Sequence, residues 1–134
     1  MQLPTIERIE ILTLIQNPPP DQPTLGVLNA EQKLYYTKTV PLTGAKAHAI
    51  AELWRHLPTP AMQMRCHMPP YGVRFYAGDH LITEATICWR CNNIRLTDIE
   101  HAGGYSFVTF DGTASVSKQL LDMFNKLTGH TAAG

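Results

Sequence analysis

With 134 residues, 44% of them hydrophobic, the chain has the composition of a globular protein and the length to bury about two-thirds of its unfolded surface in one core. Eleven basic and eleven acidic side chains cancel, so no overall field draws in nucleic acid or anionic lipid, and any partner is recognised locally. No apolar run approaches the roughly 18 residues of a membrane span. The opening MQLPTIERIEILTLIQN, interrupted by Glu7, Arg8 and Glu10, shows no secretory signal, which makes the cytosol the expected compartment.

Ile6 to Ile15 reads as a first strand, apolar on both faces near its end, which places it inside a sheet. Asn17-Pro18-Pro19-Pro20-Asp21-Gln22-Pro23 is an extended connection, followed by strand-like segments at 25–28 and 34–40 around the polar turn at 29–32. Thr43 is the expected N-cap of a helix over 44–57, where Ala49, Ile50, Leu53, Trp54 and Leu57 recur at helical spacing and Pro58 ends the run. Val73-Arg74-Phe75-Tyr76 and Leu81 to Ile87 then form a hairpin about Ala77-Gly78-Asp79-His80. Tyr105 to Phe110 supplies a further strand. Thr113 or Ser115 is expected to cap a last helix through Leu127, with Gly129 beyond its end. The expected fold is α+β: one domain over 1–129, an antiparallel sheet of five or six strands with both helices on one face, and a disordered tail at 130–134.

The hairpin brings all three cysteines together. A two-residue turn at Gly78-Asp79 pairs Ala77 with His80 and carries Cys66 opposite Cys91. A three-residue loop instead puts Val73 and Phe75 on the face of Ala85 and Ile87 and moves Cys66 opposite Asn92. Pro69-Pro70 cannot donate to a ladder and must bend or border the strand.

Cys88-Trp89-Arg90-Cys91 is a C-x-x-C, a spacing at which two thiolates reach one metal. With Cys66 as third ligand and His67, or otherwise His80 or His101, as the fourth, it is a candidate zinc site. An odd cysteine count in a reducing compartment favours free thiols or metal over a disulfide framework. A thioredoxin-like role needs the motif at a helix start, whereas here it follows a strand. The leading reading of the thiols is packing beside Trp89, itself on the core face. Met64, Arg65, Met68, Tyr71, Arg74 and Arg90, around an irregular proline-containing segment, are the candidate partner contacts, although arginines such as Arg74 and Arg95 are more commonly solvated or ion-paired.

The segment Cys66-His67-Met68-Pro69-Pro70-Tyr71-Gly72-Val73-Arg74-Phe75, followed by Ile87-Cys88-Trp89-Arg90-Cys91, resembles a group of small, mostly uncharacterised bacterial proteins that pair a Cys-aromatic-x-Pro-Arg-His-Gly-like segment with a Cys-aromatic-x-Cys strand. His67 replaces the common aromatic residue, and Pro70-Tyr71 the Arg-His pair. The resemblance implies a shared fold and a bacterial source, and brings no catalytic residues.

No carboxylate pair, phosphate-binding glycine loop or nucleophile elbow is present in the sequence. The functional expectation is therefore a non-catalytic binding domain, most specifically a bacterial immunity protein or inhibitor that docks onto a toxin domain. The alternatives are a small structural zinc module using Cys66, Cys88 and Cys91, and a cysteine-dependent redox or hydrolytic enzyme.

Overall fold

The computed structural model describes residues 1–63, 66–97, 99 and 104–132. Among them the chain forms β1 (Arg8–Gln16), β2 (Gly26–Asn29), β3 (Leu34–Thr43), α1 (Gly44–Arg55), β4 (Tyr71–Ala77), β5 (His80–Cys88), β6 (Asn93–Thr97), β7 (Tyr105–Thr109) and α2 (Ser115–Thr128). The strands make one antiparallel sheet in the order β2-β3-β1-β4-β5-β6-β7. The class is α+β, as expected, but with seven strands. The additional strand is β6, a five-residue segment that follows a second tight turn at 89–92.

Alternation sorts the sheet into two faces. Ile9 and Ile11 of β1, Tyr71, Val73 and Phe75 of β4, Ala85 and Ile87 of β5, and Ile94 of β6 are buried under Ile50 and Trp54 of α1 and Leu120 and Phe124 of α2. Trp54 packs on Phe75 with ring centroids 5.0 Å apart. Side chains at alternate strand positions share a face, so these residues make one apolar layer against the helices. Thr43 is the N-cap residue of α1 but makes no side-chain cap bond. In α2 the cap position falls to Ala114. Among the described residues no side chain caps the helix; Asp111 instead fixes the turn before it, its carboxylate accepting from the Thr113 N–H and hydroxyl and its backbone carbonyl from Ser117 Oγ at 2.6 Å.

Both registers anticipated for the central hairpin occur in the molecule. Ala77 pairs with His80 and Tyr76 with Leu81, as a two-residue turn requires, and a bulge at Ile82 then shifts the ladder so that Phe75 faces Thr83 and Val73 faces Ala85. The extra residue keeps the tight turn and still turns Val73 and Phe75 to the core. β4 begins after Pro70, so neither proline lies in the ladder; the Pro70 carbonyl instead accepts from the Leu14 N–H at 3.0 Å.

The sheet curls over its second face. Leu28, the bulged residue of β2, reaches Gly72, where an added Cβ would lie 2.8 Å from its Cδ2. The β2–β3 turn opposes Arg95, Thr97 and Tyr105 across a cleft of about 280 Å³. Residues 130–132, expected as the start of a disordered tail, are placed against α2: the Asn125 side chain donates to the Ala132 carbonyl and accepts its N–H, each at 3.1 Å.

Candidate functional site

The end of the second face nearest the β5–β6 turn holds all three cysteines. Cys66 and Cys91 are joined in a disulfide with Cα atoms 5.3 Å apart. Cys88 is free and buried, and its sulfur accepts from the Cys91 N–H at 3.2 Å. The prediction that one folded-back ribbon gathers the thiols is met. The disulfide departs from the free thiols or metal ligands that the cytosolic expectation favoured. Its physical origin is the turn at 89–92, which presents Cys91 to the segment entering β4.

That turn is fixed from the core side. Trp89 is nearly fully buried, donates its indole N–H to the Ser117 carbonyl at 2.8 Å and meets Tyr71, Phe110 and Phe124 edge-on. Asn92 takes the left-handed conformation that closes the turn, with φ 53°, and its side chain accepts from the Gly112 N–H at 2.9 Å. Gly112 is needed at this approach, because a Cβ there would sit 2.5 Å from the Trp89 carbonyl oxygen.

The incoming segment is fixed from the sheet side by His67. Its Nδ1 lies 2.6 Å from Asn93 Oδ1 and its Nε2 2.6 Å from Thr86 Oγ1, while the Asn93 amide donates to the Cys66 carbonyl. Because Asn93 Oδ1 can only accept, Nδ1 carries the hydrogen and Nε2 accepts from the Thr86 hydroxyl. Burial pushes the His67 pKa below the ordinary histidine value; the Asn93 bond works against that shift and the Arg95 charge works with it. Asn93 and Thr86 were not singled out in the sequence. A buried asparagine at a strand start is the signal that could have marked them, since its amide must find partners.

As pH falls below about 6.5, the unfolded chain takes up a proton that folded His67 resists, so stability is lost between that pH and the lower folded value and is unaffected above it. The melting temperature is expected to fall more steeply between about pH 7 and 5 in the native protein than in His67→Gln. Parallel curves would contradict the clamp.

The four candidate zinc ligands are neighbours, but in this oxidised state Cys66 and Cys91 are bonded to each other and both His67 nitrogens are engaged by protein groups. Among the described residues no group of three or more His, Cys, Asp or Glu side chains is arranged to hold a metal ion. His101, a possible fourth ligand, lies outside the described residues, as do the candidate contacts Met64 and Arg65. Of two other candidate contacts, Tyr71 is corrected and Arg74 is found with partners within the chain. Tyr71 is fully buried and its hydroxyl donates to Asn125 Oδ1 at 2.7 Å, because its strand position turns it to the helices. Arg74 lies on the curled face, where its Nε donates to Glu84 at 2.7 Å and its guanidinium stands over Tyr36. Arg95 stacks on Tyr105 at 4.1 Å. Met68 and Arg90 remain exposed, Met68 to 66%, and with Cys66 and Cys88 they line an open cleft of about 520 Å³.

Comparisons with family models, curated proteins and solved structures gave no match.

Proposed function

We propose that the chain is a non-catalytic protein-binding domain, most specifically an immunity or inhibitor protein that docks onto a toxin domain through the surface around Met68 and Arg90. The observation that carries this reading is the exposure of Met68 on a segment tied down on both sides. Cys66 is bridged to Cys91, His67 is clamped by Asn93 and Thr86, Pro69 is buried, and the Pro70 carbonyl accepts from Leu14. A backbone held in this way loses little conformational freedom on binding. A thioether adapts to the shape of a partner, and Arg90 beside it adds a cation suited to an acidic rim. A cytosolic chain would keep the bridge only under oxidising conditions, so we assign docking to the bridged form.

The test is binding to, and neutralisation of, the product of the neighbouring gene. The native protein is expected to bind and protect, and Met68→Asp combined with Arg90→Glu is expected to weaken binding by about a hundredfold or more, the range of a hot-spot pair. An intact, folded protein that neither binds nor neutralises that product would remove the proposal.

A further inference from the structure

The docking reading leaves one thiol unused, that of Cys88. It lies against a bridge whose two halves differ: Cys91 is buried in the turn, whereas Cys66 is exposed. The Cys91 N–H donates to Cys88 Sγ at 3.2 Å, which holds the free sulfur against the residue that carries one end of the disulfide. Cys66 and Cys88 both line the cleft beside Met68 and Arg90, with Cys66 exposed and Cys88 buried behind it, so a small reagent meets Cys66 first.

We infer that this cluster is an internal thiol–disulfide exchange site, in which Cys88 displaces Cys66 from Cys91. Cys88 loses its proton and its thiolate attacks Cys91 Sγ. The Cys88–Cys91 bond forms as the Cys66–Cys91 bond breaks, and Cys66 leaves as a thiolate that takes up a proton. One disulfide and one thiol are present before and after, so no external oxidant or reductant is consumed. The new bridge spans a C-x-x-C, a spacing used by exchanging dithiols, and the exposed Cys66 is the group able to leave into solvent. The exchange removes the covalent tie on the segment that carries Met68 and leaves it held by hydrogen bonds alone: those of Asn93 to the Cys66 carbonyl, of His67 with Asn93 and Thr86, and of Leu14 to the Pro70 carbonyl. It also creates an accessible thiol at the cleft, a site for mixed disulfides with small thiols or their disulfides.

The sequence makes the test direct, because cleavage after Arg65, Arg74, Arg90 and Arg95 puts Cys66, Cys88 and Cys91 into three separate tryptic peptides. Native protein free of reductant is incubated with N-ethylmaleimide at mildly alkaline pH, quenched with acid over a time course and mapped. The expected result is label accumulating on Cys66 while the Cys88 and Cys91 peptides become cross-linked, and loss of that label in Cys88→Ala, which keeps the original bridge. Label confined to Cys88 with the Cys66–Cys91 link intact would overturn the inference. So would label on Cys91 with Cys66 linked to Cys88, or Cys66 label undiminished in Cys88→Ala. No partner enters this experiment, so its outcome is independent of the docking proposal.

Discussion

Replacing Trp89 by alanine is expected to cost about 3–5 kcal/mol of unfolding free energy, the range for truncating a large buried aromatic side chain. Trp89 is 3% exposed and meets Tyr71, Phe110 and Phe124 edge-on, so its removal opens a space among rings that cannot close it without leaving their own contacts. The indole N–H also donates to the Ser117 carbonyl; that carbonyl keeps its helical partner within α2, so losing the indole bond adds about 0.5–1.5 kcal/mol. Trp89→Phe keeps most of the packing and loses the donor, so it should fall well short of the alanine variant. Urea unfolding of the three proteins provides the check. A loss below about 1 kcal/mol for the alanine variant would mean that the tryptophan does not anchor the turn carrying Cys91.

The second large effect belongs to the bridge. Cys66→Ala with Cys91→Ala is expected to lower unfolding free energy by about 3 kcal/mol, because the disulfide closes a loop of 25 residues in sequence and its loss frees the unfolded chain. The bonds from Asn93 to the Cys66 carbonyl and from the Thr86 hydroxyl to His67 remain available, so the fold should persist while the segment before β4 loosens. Equilibrium unfolding gives the first quantity, and faster amide exchange at residues 66–68 gives the second. An unchanged midpoint with unchanged exchange would show that the hydrogen-bonded clamp alone fixes the segment.

Much of this arrangement was readable because period and chemistry agreed. The apolar stripe of α1, the alternation at Val73, Phe75, Ala85 and Ile87, and the turn residues at Gly78-Asp79 all pointed to the elements that form. The choice between the two hairpin registers was not readable, because a single bulge at Ile82 satisfies the tight turn and the core pattern together, and an added residue leaves no mark in composition. β6 was hidden for a related reason. Asn92-Asn93 reads as the end of a strand, yet Asn92 closes a turn in the left-handed conformation and Asn93 opens the next strand with its amide turned to Cys66 and His67. The gathering of the cysteines was legible from the hairpin, but their pairing was not. That depended on the second turn, which brings Cys91 to Cys66 and leaves Cys88 beside the bridge. Tyr71 misled because the irregular, proline-containing segment suggested a surface; its place as the first residue of β4 turns it inward instead.

The segment carrying Met68 is held by a covalent tie from residue 66 to the turn after β5, and the state of the thiols tests this most directly. Native protein prepared without reductant, trapped in acid and then denatured, should show one reactive thiol per chain and a cross-linked pair of peptides that contains Cys91. Three reactive thiols per chain would contradict the account.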